Sequence, residues 1–202
     1  MQSTAERWHW TSDVMPGISF CVWVLQVDGL RIPPFDQHSD GDGSLRAAGL
    51  TAASWQAWLA ALLDLRLRLS ATAWPPPPAL VSAVPAPHTV WSGEPAVGTR
   101  LATMWSDYET RGEAWKRHYA LEADPTRLAP AEHRELWRQL APYRAQLPPL
   151  HLFLVEYPEV VLAPYPPACA LIGTGGGSLD AASYAEAVIR AASTVAVQQR
   201  AT

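Results

Sequence analysis

The sequence predicts an α+β fold, and three observations carry that expectation. Apolar runs of strand length stand near both ends of the chain, in ISFCVWVLQV from Ile18 and in LHLFLV, EVVLA and ACALIG between residues 150 and 173. Between them, and again at the C-terminus, apolar side chains recur at helical spacing. Strand and helix patterns are segregated rather than alternating, which favours helices packed on one sheet over the alternative of a parallel wound α/β sheet. The expected architecture is a single domain over residues 1–202, long enough at 49% hydrophobic content to bury one core. Its small mixed or antiparallel sheet is built from N-terminal (about 18–34) and C-terminal (about 150–173) strands and packs against four helices.

In the N-terminal run, Ile18, Phe20, Val22 and Val24 fall on one alternation and Cys21, Trp23, Leu25 and Val27 on the other, so a strand here is covered on both faces. Asp28-Gly29 then reads as a tight hairpin turn, because both residues tolerate positive φ. Thr51 is the expected N-cap of a helix to about Leu69, with Trp55, Trp58, Leu59 and Leu62 on its inner side. The alternation of Leu63, Leu65, Leu67 and Leu69 also fits a strand, but no Gly or Pro separates the two patterns.

A Pro-rich internal connector covers about 74–95, WPPPPALVSAVPAPHTVWSGEP, with four consecutive prolines held extended and room for a short strand near Leu80 to Val84. The clearest helix spans about Ala96 to Leu121, carrying Leu101, Met104, Trp105, Tyr108, Gly112, Trp115 and Tyr119 on one face. Another begins at Pro130 and ends at Pro142, with Leu136, Trp137, Leu140 and then Tyr143 on its buried side. After the second β region, a last helix runs from about Leu179 to Gln199 behind Tyr184, Val188, Ala192 and Val195.

Composition narrows the function classes. A net charge of −4 with dispersed basic residues leaves no electrostatic footprint for nucleic acid. No apolar stretch reaches bilayer length and no secretory leader pattern opens the chain, so the expected location is the cytoplasm, with no membrane partner. Cys21 and Cys169 lack metal or redox spacing and read as buried free thiols. Lys116 is the lone lysine among fifteen basic residues, so Schiff-base or P-loop chemistry would have to use it.

Two loops are candidate sites. Asp36, His38, Asp40 and Asp42 alternate beside Gly41 and Gly43, an oxygen-rich pattern able to hold a hard cation. It fails as an EF-hand: with His38 in first position, Gly49 stands where the bidentate Glu belongs. A turn whose Asp side chains cap local amides explains the same residues. Gly175, Gly176, Gly177 and Ser178 stand between an apolar run and a helix, where backbone amides can cradle phosphate. The stretch lacks the P-loop ending, and Asp180 in the first turn opposes an anion; a connector capped by Ser178 is the other reading.

Ten tryptophans and nineteen prolines are more unusual than the charge. Most Trp rings are expected in the core, whereas Trp8, Trp10, Trp74 and Trp91 fall outside the strongest periodic patterns and are candidates for a partner interface. The leading expectation is a non-enzymatic subunit or accessory factor of a larger protein assembly, needing no cofactor and contacting another protein or a second copy through aromatic and Pro-rich surface. The rival is a small metal-dependent hydrolase or phosphate-ligand-binding enzyme using the 36–44 acidic loop. Carbohydrate binding is a third reading, which requires a groove lined by coplanar Trp faces.

Overall fold

A computed structural model describes residues 10–13, 16–36, 41–72, 85–110, 130–143, 150–155, 157, 162–165, 169–173 and 180–201. The chain is α+β and divides into two compact units: Pro16–Lys116, and a second made of Met1–Met15 with Arg117–Thr202. The first unit is thus inserted in sequence between the first strand of the second unit and the rest of it.

Among the described residues the inserted unit is helical. Helix α1 spans Pro16–Asp28, α2 Ser44–Ala47, α3 Ala52–Thr72 and α4 Pro95–Thr110, with a 3₁₀ turn at Pro87–Val90. The strand expected over about 18–34 is therefore a helix for most of its length. Its residues are apolar on every side, and Ile18, Phe20, Cys21, Val22, Val24 and Leu25 are all fully buried, a pattern that a buried helix satisfies as well as a doubly covered strand. Pro16 in the first turn suits a helix start. Gly29 ends it at φ 69°, and the Leu30 amide reaches back to the Leu25 carbonyl at 3.1 Å, a Schellman closure. Asp-Gly therefore supplies the expected positive φ at a helix end instead of a hairpin.

Thr51 caps α3 as its sequence implies. The Ser54 amide donates to Thr51 Oγ1 at 3.1 Å and the Thr51 amide to Ser54 Oγ at 3.0 Å, a reciprocal capping box. The inner side of α3 holds Trp55, Trp58, Leu59 and Leu62. Phe20 lies at the centre of an aromatic cluster, with ring centroids 5.1 Å from Trp105, 5.4 Å from Tyr108, 5.7 Å from Trp23 and 6.0 Å from Trp58. Two indole N–H groups are satisfied by backbone from other elements: Trp55 donates to the Cys21 carbonyl at 2.9 Å and Trp58 to the Pro87 carbonyl at 2.8 Å.

The other unit holds a four-stranded mixed sheet. Its strands are β1 Trp10–Asp13, β2 Leu150–Val155, β3 Leu162–Tyr165 and β4 Cys169–Gly173, in the order β1-β2-β4-β3. The β1–β2 and β2–β4 pairs are parallel and β3–β4 is antiparallel. An N-terminal strand does join the C-terminal ones, but it is Trp10–Asp13 rather than the run from Ile18. Helices α5 Pro130–Leu140 and α6 Ala181–Ala201 pack on each other, and α6 packs on β2, β3 and β4. Leu152, Leu154, Ala170 and Ile172 supply the sheet side of this core, and Tyr184, Ala185, Val188 and Ala192 of α6 meet them with Leu136 and Leu140 of α5. The many alanines of α6 let it lie close to the sheet.

The expected short strand near Leu80 to Val84, the continuation of α4 past Thr110 and the first half of the Pro-rich connector, 74–84, lie outside the described residues. Both cysteines are free and buried. Burial raises the Cys21 thiol well above its usual range and pushes Cys169 up to about 12. Among the described residues no helix is long and apolar enough to cross a membrane.

The aromatic centre and the buried thiols can both be checked. Phe20→Ala should cost about 3–5 kcal/mol in urea unfolding, and a loss under about 1 kcal/mol would show that the cluster does not centre on this ring. An aromatic disulfide reagent should titrate neither thiol in the native protein and both in denaturant. Because unfolded thiols ionise near pH 8.5 while folded ones stay protonated, stability should also fall as the pH rises above about 9.

Candidate functional site

The acidic loop is built onto the end of α1 by a residue that the loop reading passes over. Asp28, the last residue of α1, is completely buried, and three donors from the start of α2 converge on its carboxylate. The Leu45 amide donates to Oδ1 at 2.7 Å, the Arg46 amide to the same oxygen at 3.4 Å, and Arg46 Nε to Oδ2 at 3.1 Å. Arg46 Nη2 also donates to the Asp28 carbonyl at 2.8 Å, so one guanidinium closes around both the backbone and the side chain of this residue. The position before α2 is Gly43, which has no side chain to cap the helix, and Asp28 fills that role from fifteen positions earlier in the chain.

The returning loop is held by backbone bonds as well. The Asp42 amide donates to the Val27 carbonyl at 3.0 Å and the Gly43 amide to the Asp28 carbonyl at 3.2 Å. These carbonyls belong to the last turn of α1, whose acceptors the helix itself leaves open. Gly41 lies so close to the α1 terminus that a methyl group there would overlap the Gly29 amide and the Val27 carbonyl, and Gly43 sits at φ 64°. The two glycines that suggest cation-site flexibility therefore serve close approach and a left-handed turn.

Of the four candidate metal ligands, Asp36 is exposed, and Asp42 accepts the Ser44 amide on Oδ1 at 2.9 Å. That bond, with the Ser44 hydroxyl next in effect, holds the Asp42 carboxyl below its usual range. His38 and Asp40 lie outside the described residues. Among the described residues no group of three or more His, Cys, Asp or Glu side chains is placed to hold a metal ion.

At the second candidate loop, Gly175, Gly176, Gly177 and Ser178 lie outside the described residues. The α6 start beside them is capped by Asp180: Oδ1 accepts the Ser183 amide at 2.8 Å and Oδ2 the Ser183 hydroxyl at 3.1 Å. The Ser183 amide and hydroxyl lower the Asp180 carboxyl. A carboxylate thus already engages the Ser183 amide in the first turn, a donor that a bound phosphate would use.

The interface candidates divide similarly. Trp8 and Trp74 lie outside the described residues, and for Trp10 the structure describes the backbone, which pairs with Leu150 in the sheet. Trp91 is half-buried: its ring meets Trp58 edge-on at 5.9 Å, and its indole donates to the Glu94 carbonyl at 3.0 Å. It packs under the chain that follows it, where a methyl group on Gly93 would collide with its six-membered ring. Among the described residues the nearly parallel ring pairs, Phe20–Trp23 at 28° and Trp105–Tyr108 at 22°, belong to the cluster around Phe20, in which Trp23 is half-buried and the other three rings are buried.

Two aromatics expected on the buried side of α5 are exposed. Trp137 and Tyr143, assigned to the buried side of α5 with Leu136 and Leu140, are 45% and 39% exposed. Among the described residues of α5, Leu136 and Leu140 are the ones buried in the core. Beside Trp137, Arg138 grips Glu135 through Nε at 2.8 Å and through Nη2, while Gln139 donates to the same carboxylate at 2.8 Å. The Arg138 side chain, helped by Gln139, brings the Glu135 carboxyl down to about 2. No protein-family model matches this chain, and neither a curated protein nor a solved structure is found to be similar to it.

The Asp28 clamp and the Asp42 cap predict unequal losses. Asp28→Ala should destabilise by about 3 kcal/mol, because a buried amide and a guanidinium lose a charged acceptor together, whereas Asp42→Ala, at an exposed cap, should cost about 1 kcal/mol or less. Equal costs in urea unfolding would mean that Asp28 is not the organising group. Acidification provides a separate check. Asp42, Asp180 and Glu135 are more acidic folded than unfolded, so their stabilisation is complete above the usual carboxylate range and fades as pH falls toward about 2. Asp180→Asn keeps a competent cap but removes the titration, and should flatten that decline.

Proposed function

We propose that this chain is a non-enzymatic subunit or accessory factor of a larger protein assembly in the cytoplasm, acting through aromatic and Pro-rich protein–protein contacts with another protein or a second copy of itself. The observation that supports this reading is the exposure of Trp137, with Tyr143 close behind it in the chain, on a helix that buries Leu136 and Leu140 in the core. A partly exposed Trp ring is the side-chain type that most often anchors an interface, because it brings a large rigid apolar area and one hydrogen-bond donor. Trp91 and the rings around Phe20 are committed to packing, which moves the weight of the reading from Trp91 to Trp137.

The metal-dependent alternative gains no comparable support. Asp42 is engaged in capping, and the loop's glycines are accounted for by the approach to α1. The deciding measurement is the mass of the native complex, by light scattering after size separation from the protein's own cells, for the natural chain and for Trp137→Ala with Tyr143→Ala. A stoichiometric partner or homo-oligomer that the double variant loses, with thermal stability changed by less than about 0.5 kcal/mol, is the expected result. A natural chain that runs as a clean monomer would sink the proposal. Trp91→Ala is the contrasting variant: it should lower stability by about 2 kcal/mol and leave the complex intact.

A further inference from the structure

We draw no further inference here: the strongest candidate, the outward stripe of α5 where Arg134 and Trp137 stand exposed with Tyr143 just beyond the helix, belongs to the surface already proposed as an interface, and nothing in the structure shows what covers it.

Discussion

The buried carboxylate of Asp28 is the constraint from which the inserted unit is organised. Removing a carboxylate from water costs several kcal/mol unless charged or polar donors replace the lost hydration. Here the replacement comes from one place, the first turn of α2 and the Arg46 side chain. That requirement fixes where α2 begins relative to the end of α1, and it holds residues 41–43 on a narrow path along that end. The path explains Gly41, which touches the α1 terminus, and Gly43, which turns with positive φ. With α2 fixed, Leu45 and Leu50 are buried on either side of its end, and Thr51 starts α3 immediately after. One long-range cap, from Asp28, and one local cap, from Thr51, thus set the relation of three helices.

Tryptophan does the corresponding work inside that unit. An indole buried without an acceptor leaves an N–H unsatisfied, so each ring is steered toward a carbonyl as well as into a space. Trp55 ties α3 to the Cys21 carbonyl of α1, and Trp58 ties it to the Pro87 carbonyl of the 3₁₀ turn. Trp91 bonds the Glu94 carbonyl across the turn into α4. Packing alone would leave the rings several rotational choices; the directional bonds select one. Among the described residues the Trp side chains are therefore largely architectural, and the exposure of Trp137 stands out against that use.

How much of this was legible in the sequence depends on whether the signal was local. The Thr51 cap and the helix after it, the helix from Pro130 and the strands β2 and β4 are readable, since their capping residues and apolar patterns lie within the elements themselves, whereas β3, Leu162–Tyr165, overlaps the expected EVVLA run only at Leu162 and Ala163. The run from Ile18 was not. Its β-branched residues and its apolar character on both alternations suit a strand, and Asp-Gly meets the same positive φ demand in a hairpin or at a helix end. Tertiary packing around α1 decides the matter, and no short window contains that information. Strand β1 is four residues, WTSD, too short and too polar to announce itself. At the candidate site, Asp28 was hidden because its acceptor role is completed by residues 17 and 18 positions away. Trp137 failed for a geometric reason: on a helix it lies about 100° from Leu136 and about 60° from Leu140, at the edge of the stripe those two define.

That edge position bears on how strong a contact at Trp137 can be. Exposure of 45% on a side chain of this size leaves roughly 100 Å² of ring in water, so burying it gains about 2.5 kcal/mol at about 25 cal/mol per Å². The gain is that of a hot-spot residue, yet association costs about 4–15 kcal/mol in lost translational and rotational freedom. Glu135 and Arg138 next to the ring already neutralise each other, so they bring little further attraction for a partner's charges. One anchor of this kind does not hold a stable complex by itself. A lasting assembly through this face requires Tyr143 and surface beyond α5 to be buried with it, and this physical argument favours a broad or multipoint contact over recognition of a short peptide by one exposed ring.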